Sequence, residues 1–346
     1  MLKKTVLAIA TGIICSLSVP VIYAQEHENE NVVVEHKMIN TLRYYKTMYE
    51  ATPDTEFMRI VIGSKPENVG GYQQDKRHMS YGFPMAFRPT KNPDEAWLLD
   101  SINDSLKLFK SGKLIRKVDL SRMGFVTDFA MNSIGEMAFL NASKGTIYIT
   151  DKDGKIKNTF SGFESALYME FASDKDLLIK SPLSKGVVRI SIENGAVLGV
   201  YEGDQSISCY SSAKGIWGIK ASGGTIAKLF VRTTNFTFDN PETIVAEFPL
   251  KAYEGVEYKG GEIYGFDAEG NIYFGLIACD MNGIIFRDRI YKCDQNGKVL
   301  KEMDVIAKPV MSPGIPRHKI ACPDGRIMTF YSDELKYFYL NMYTLK

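Results

Sequence analysis

The chain has 346 residues, of which 45% are hydrophobic and 24% charged, and its formal net charge is +1. This balance is typical of a folded globular protein. Because charges of both signs are interspersed, we expect neither a nucleic-acid partner nor a basic patch that binds membrane surfaces.

The first 24 residues have the pattern of a secretory signal peptide. Two lysines precede a mostly apolar run over residues 5–19, and Ala24 ends the segment. This run is shorter than the ~20 residues that span a bilayer, so it predicts cleavage after Ala24 and no membrane span in the mature chain. A membrane anchor and lipidation at Cys15 are the alternatives. The chain is therefore expected to be exported.

Residues 25–56 are predicted to be a flexible lead or arm, because 25–36 is polar and acidic before it becomes apolar. A predicted β-strand follows at Phe57–Ile62, which is rich in β-branched and apolar residues and stops at a glycine. Residues 57–346 are assigned to one folded domain.

Strands and turns recur through this domain at nearly constant spacing. Turn glycines 112, 154 and 195 are about 41 residues apart, a period typical of β-propeller blades. The turns between the first and second strands of successive blades end at residues 94, 135, 175, 215, 270 and 325. These turns predict six blades. A pair of open sandwiches would not explain six recurring turns.

The last blade has only three strands in the C-terminal sequence, at 319–321, 326–331 and 337–343. The early strand Phe57–Ile62 would supply the fourth and remove an exposed sheet edge. The predicted fold is therefore an all-β, six-bladed β-propeller whose ring is closed by an N-terminal strand that completes the C-terminal blade.

The first blade carries a recognisable repeat. It reads Trp97-Leu-Leu-Asp100-Ser-Ile-Asn103-Asp-Ser-Leu-Lys-Leu-Phe109 and is followed by a turn at Gly112. This arrangement of strand, Asp-Ser-x-Asn box, second strand and turn glycine resembles the NHL and TolB-like six-bladed propellers of secreted bacterial proteins. The resemblance implies a protein of the periplasm or the extracellular or cell surface of a Gram-negative bacterium that docks partners. Asp100 and Asn103 are expected to tie their turn rather than to bind a metal.

Four cysteines remain after the predicted cleavage, and we expect them to be buried free thiols. They are Cys209, Cys279, Cys293 and Cys322. Export permits disulfides, but a turn at 281–283 would place Cys279 and Cys293 at opposite ends of one hairpin.

The first strand of each blade lies nearest the axis and begins at the mouth of the central channel. Residues just before each inner turn should therefore ring the channel. By this register the candidates are Arg88, Asp128, Glu170, Tyr210, Glu257, Arg317 and His318. Carboxylates, cations and phenols of this kind suit a polar ligand or a loop of a partner. Solvated channel lining is the alternative interpretation.

No local motif for nucleophilic, phosphotransfer or zinc chemistry occurs in the chain, so we predict no catalytic residue, metal site or cofactor. We expect a monomeric, exported binding propeller that presents a loop face and the channel mouth to a protein or glycan. The alternative is a metal-dependent hydrolase of the lactonase type. It would hold a divalent cation such as calcium in the channel through oxygens of Asp128, Glu170 and Asn132.

Overall fold

The computed structural model describes residues 55–70, 73–75, 78–80, 84–181, 186–201, 206–221, 226–232, 242–250, 256–280, 285–304, 317, 319–332 and 337–345. The predicted signal peptide, Cys15, the first 30 residues of the predicted lead and His318 lie outside the described residues.

The described residues form 26 β-strands. The first three are β1 (Thr55–Val61), β2 (Gln73–Asp75) and β3 (His78–Ser80). Blades one to three consist of β4 (Ala86–Pro89), β5 (Glu95–Asp100), β6 (Ser105–Lys110), β7 (Lys113–Asp119), β8 (Asp128–Met131), β9 (Met137–Asn141), β10 (Thr146–Thr150), β11 (Ile156–Ser161), β12 (Tyr168–Phe171), β13 (Asp176–Ser181), β14 (Gly186–Ser191) and β15 (Val197–Tyr201). Blades four to six consist of β16 (Ile207–Ser212), β17 (Gly215–Lys220), β18 (Ile226–Arg232), β19 (Thr243–Pro249), β20 (Val256–Phe266), β21 (Ile272–Asp280), β22 (Ile285–Cys293), β23 (Val299–Asp304), β24 (Lys319–Ala321), β25 (Arg326–Ser332) and β26 (Tyr337–Thr344), with β1. Within this part of the chain no helix is long and apolar enough to cross a membrane.

The sheet topology confirms the predicted six-bladed β-propeller. Each blade is a four-stranded antiparallel sheet, and all six inner turns fall at the predicted positions. In the last blade the strand order is β1-β26-β25-β24, so the N-terminal strand completes the C-terminal blade. Met58 pairs with Leu340 and Ile60 with Phe338 in this closing ladder. The alternation of hydrophobic residues along β1 sets this register, because it places the side chains of both Met58 and Ile60 in the core.

Hydrophobic packing between neighbouring blades holds the ring together. Met58 and Ile60 share a buried cluster with Phe87 and Leu98 of blade one, so the closing blade packs directly on the first. Elsewhere Phe248 and Phe274 join blades four and five with ring centroids 5.2 Å apart. Aromatic pairs at this distance add about 0.5–1.5 kcal/mol beyond their buried area.

The Asp-Ser-x-Asn box of blade one anchors the segment that follows β1. Asp100 forms a fully buried ion pair with Lys107 at 2.7 Å and accepts a hydrogen bond from the Gly70 backbone N–H at 2.9 Å. Asn103 Nδ2 donates to Asp100 Oδ2 at 2.8 Å and to the Gly63 carbonyl at 3.3 Å. Both polar side chains are therefore occupied by structural bonds, of which only the one between Asn103 and Asp100 lies within the predicted turn.

Cys209, Cys293 and Cys322 are buried thiols without a disulfide bond. Cys279 pairs with Ile285 beside the turn, whereas Cys293 pairs with Ile272 at the far end of the same hairpin. Burial raises the pKa of Cys293 and of Cys322 to about 12, so both sulfurs stay protonated and unreactive at neutral pH.

Candidate binding site at the channel mouth

The innermost strands of the six blades are β4, β8, β12, β16, β20 and β24, each at the end of its sheet and first in its blade. Side chains from five blades meet inside the ring, four from the strands β4, β8, β12 and β16 and one from just before β24. We call this group the channel-mouth cluster, and it consists of Arg88, Asp128, Glu170, Tyr210 and Arg317. All five were predicted from the sequence to ring the channel.

Arg317 reaches across the axis of the ring. It precedes β24 in blade six, and its Nη2 donates to Asp128 Oδ2 in blade two at 2.8 Å. Its Nη1 donates to Glu170 Oε2 in blade three at 2.8 Å. Blades three and six stand opposite each other in a ring of six, so the guanidinium spans the ring at this level. Its central carbon also lies 4.8 Å from the centroid of the Tyr168 ring, a favourable cation–π distance.

Arg88 holds the same two carboxylates from blade one. Its Nη2 donates to Asp128 Oδ1 at 3.1 Å and to the Phe129 carbonyl at 2.6 Å. The same nitrogen lies 3.5 Å from Glu170 Oε2. Two guanidinium groups therefore neutralise two carboxylates inside the channel, which is how buried charges are tolerated.

Asp128 has no accepting capacity left for a ligand. Its Oδ1 accepts from both arginines, and its Oδ2 accepts from Arg317 and from the Met169 backbone N–H at 2.9 Å. Its side chain is 1% exposed. Burial raises the pKa of Asp128 to about 7, against the lowering effect of Arg88.

Glu170 is the most solvent-exposed of the four charged side chains in the cluster. Its side chain is 24% exposed, whereas that of Arg317 is 3% exposed. Hydrogen bonds from the described residues reach only Oε2, so Oε1 is left as an acceptor on the exposed side. Burial raises the pKa of Glu170, and it raises the pKa of Tyr210 well above its ordinary value, so the Tyr210 phenol stays neutral.

Three members of the cluster are buried and ion-paired and so are not solvated channel lining. Arg88, Asp128 and Arg317 are all less than a tenth exposed. The sequence offered no sign of this, because solvated and ion-paired charges look the same in a strand pattern.

Glu257 lies on a part of blade five that differs from the other blades. Its strand, β20, has 11 residues and two register shifts, whereas the other inner strands have three to six. Glu257 pairs with Cys279 near the start of β20, far from the inner turn. Glu262, which the sequence analysis did not select, interacts electrostatically with Tyr168 and Tyr210. The adjacent Gly260-Gly261 pair was a usable signal, because such pairs often mark bulges that shift the register.

The raised pKa of Asp128 predicts a pH-dependent stability. The folded state holds the proton more tightly than the unfolded state, whose carboxyl has the ordinary value of 3.8. The free energy of unfolding should therefore fall as the pH rises from about 4 to about 7. The Asp128→Asn variant should lose this part of the slope in urea unfolding measured across that range. Parallel slopes for the two proteins would contradict the assignment.

Asn132, one of the three oxygen donors considered for a divalent cation, does not join Asp128 and Glu170. Asn132 lies in an inner turn at the opposite end of its blade, where its Nδ2 donates to Glu136 Oε2 at 3.1 Å. Asp128 and Glu170 are bound by guanidinium groups. Among the described residues, no group of three or more histidine, cysteine, aspartate and glutamate side chains could hold a metal ion.

No protein-family model and no curated protein matches the sequence. Several solved structures are similar to this chain over most of its length. A member of the DUF4221 family from Bacteroides vulgatus is 8% identical, with a TM-score of 0.48 over 85% of this chain and 98% of that chain. Virginiamycin B lyase from Staphylococcus aureus is 14% identical, with a TM-score of 0.44 over 75% of this chain and 94% of that chain. The WD40 repeats of RRP9 are 10% identical, with a TM-score of 0.45 over 82% of this chain and 97% of that chain. All three TM-scores are below 0.5, and the propeller fold follows from the sheet topology.

Proposed function

We propose that this protein is an exported, non-catalytic binding propeller that presents its channel-mouth face to a protein or glycan partner. The export step rests on the signal-peptide pattern of residues 1–24. The TolB-like and NHL-like features of the first blade agree with a partner-docking role. Propellers commonly bind through loops on one face, and their scaffold serves many functions.

The proposal rests on a difference between the two channel carboxylates, Asp128 and Glu170, in how many of their hydrogen-bond acceptor sites are occupied. Asp128 is saturated by four hydrogen bonds and buried, whereas Glu170 keeps Oε1 free on the exposed side. The arginines fix the position of Glu170 without using its second oxygen. Such a fixed polar group at a concave mouth can orient a ligand.

The hydrolase alternative gains no support from the same geometry. A calcium ion would need several oxygen ligands that are free of competing cations. The guanidinium groups of Arg88 and Arg317 already lie within 3.5 Å of the carboxylate oxygens of Asp128 and Glu170. We therefore assign these carboxylates to the ion network and to binding.

A comparative pull-down from the native cell envelope tests the proposal. Immobilised wild-type protein should retain a partner that the Glu170→Ala variant loses. The matched control is Glu193→Ala, because Glu193 is an exposed carboxylate in the turn between β14 and β15, the two outer strands of the same blade. The control should retain the partner fully.

Two results would contradict the proposal. One is equal retention by both variants, which would place binding elsewhere on the surface. The other is turnover of a lactone that depends on added calcium and is lost in Glu170→Ala, which would favour the hydrolase. Cell fractionation tests export separately, and recovery of the uncleaved chain in the cytoplasm would overturn that part.

A further inference from the structure

The buried ion pair of blade one is completed by the segment that closes the ring, residues 55–70, which we call the closing segment. The Asp100 and Lys107 side chains are both 0% exposed, and their charged atoms lie 2.7 Å apart. Lys107 Nζ also donates to the Asn68 carbonyl, and Asp100 Oδ1 accepts from the Gly70 N–H at 2.9 Å. A buried ion pair is tolerated when further hydrogen bonds satisfy its remaining donors and acceptors, and the closing segment supplies two of these bonds.

The contact between the closing segment and blade one fits a single residue type at its centre. A Cβ atom on Gly70 would lie 2.7 Å from Asp100 Oδ1 and 2.5 Å from Ile102 Cβ, so only glycine can approach this closely. Asn103 Nδ2 holds the other end of the loop through its bond to the Gly63 carbonyl at 3.3 Å. A shifted segment would present another residue to Asp100 and could not form the same bonds.

The corresponding turn of blade two contains no such charge pair. Asn141 occupies the place of Asp100, and Tyr148 occupies that of Lys107. Asn141 Nδ2 donates to the Met123 carbonyl at 2.9 Å. Neutral side chains are therefore sufficient to form a turn of this kind, and the two buried charges of blade one need a separate explanation.

The alternation of hydrophobic residues along β1 leaves one alternative register open. It excludes a slip by one residue, which would turn the apolar side chains away from the core. A slip by two residues would instead move Ile60 and Ile62 into the places of Met58 and Ile60. All of these residues are apolar, and Ile62 already packs against the same cluster. Apolar packing alone therefore discriminates weakly between the two registers.

The polar bonds to blade one distinguish the two registers, because the loop after β1 moves together with that strand. The Val69 N–H donates to the Val61 carbonyl at 3.0 Å, and the Gly63 N–H donates to the Val69 carbonyl at 2.7 Å. A slip by two residues would carry this loop about 7 Å along the strand direction. The bonds to Asp100 and Lys107 would then break, and a buried ion pair that loses such partners is costly.

We infer that the Asp100–Lys107 ion pair is a register lock, which docks the closing segment in one register and so fixes a single closed form of the ring. The lock acts through specificity more than through stability, because replacing a buried ion pair with apolar residues is often neutral for stability. This role is independent of what binds at the channel mouth.

Disulfide trapping in the full mature protein tests this inference. The Arg59→Cys/Tyr339→Cys reporter detects the observed register, because these two residues pair directly. The Val61→Cys/Tyr339→Cys reporter detects the slip by two residues. In the observed register Val61 pairs with Tyr337, so Val61 and Tyr339 are diagonal neighbours about 7–8 Å apart, too far for a disulfide bond. Peptide mass spectrometry after oxidation quantifies each crosslink.

Without further changes, the first reporter should crosslink and the second should not. Adding Asp100→Leu/Lys107→Met should raise the ratio of slipped to observed crosslinks at least about tenfold, because two hydrogen bonds that favour the observed register are lost. Asn103→Ala removes the bond to Gly63 and should raise the ratio about two- to tenfold, which keeps the test decisive if the double variant does not fold. Thermal melts verify that each variant is folded.

The matched control is Asp176→Leu/Arg189→Met. Arg189 Nε donates to Asp176 at 3.1 Å, and this pair joins the second and third strands of blade three as Asp100 and Lys107 join those of blade one. The control should leave the ratio of the two crosslinks unchanged, because the pair lies in a blade that does not contact the closing segment.

An unchanged ratio in the folded Asp100→Leu/Lys107→Met variant would overturn the inference, because apolar packing would then fix the register alone. An equal rise in the control would also overturn it, since the loss of any ion pair would then loosen the closing strand. Efficient crosslinking of the second reporter without further changes would show that the ion pair does not hold β1 in one register.

Discussion

Replacing Arg317 with alanine should lower the free energy of unfolding by about 3–5 kcal/mol at about pH 8, above the pKa of about 7 of Asp128. The variant keeps two carboxylates in the channel but only one guanidinium, so one buried negative charge loses its partner. It also loses the bonds that join blade six to blades two, three and four. Urea unfolding followed by tryptophan fluorescence measures the change.

Two further variants distinguish the loss of a charge partner from the loss of an arginine side chain as such. Arg116→Ala removes an exposed arginine whose bond to Asp153 spans 3.0 Å between blades one and two, and it should cost no more than about 1 kcal/mol. Adding Asp128→Asn to Arg317→Ala should recover part of the loss, because the unpaired charge is removed. If Arg317→Ala alone costs less than about 1 kcal/mol, Arg317 does not brace the ring.

The sequence predicted the ring because turn chemistry is local. Glycines and short polar residues at the inner turns mark where the chain must bend, and their spacing counts the blades without knowledge of any long-range contact. Counting back from these turns also selected Arg88, Asp128, Glu170 and Tyr210, since their strands have similar lengths. The same count selected Glu257 rather than Glu262, because the bulges and extra length of β20 break the shared register.

The pairing of charges in the channel could not be predicted in this way. Arg317 and Glu170 are 147 positions apart in sequence, and no local pattern states that two side chains will cross an axis to meet. The bonds that join the Asp100 turn to the segment after β1 could not be predicted from local sequence either. The box was visible as a turn motif, but its bonds to Gly63 and Gly70 depend on how the segment after β1 returns to blade one.

Deleting residues 25–63 should leave blade six with three strands and convert the protein into an aggregating species with a markedly lower melting temperature. The deletion removes β1 and thereby exposes the backbone groups of β26, a template for pairing with other chains. It also removes Met58 and Ile60 from the buried cluster between blades six and one. Burying each such side chain contributes about 1.5–3 kcal/mol. Size-exclusion chromatography and a thermal melt measure both effects.

A peptide that spans residues 55–70 provides the control for this deletion. Added to the truncated protein, it should pair with β26 as a donated strand, raise the melting temperature and suppress aggregation. The same peptide with Met58→Asp and Ile60→Asp should fail, because it places charges in the buried cluster. A peptide with Arg59→Ser should succeed, since the Arg59 side chain is exposed and its ion pair with Glu56 and its contact with the Tyr337 ring both lie at the surface, where each contributes about 1 kcal/mol or less. If the truncated protein stays monomeric with an unchanged melting temperature, β1 does not close the ring.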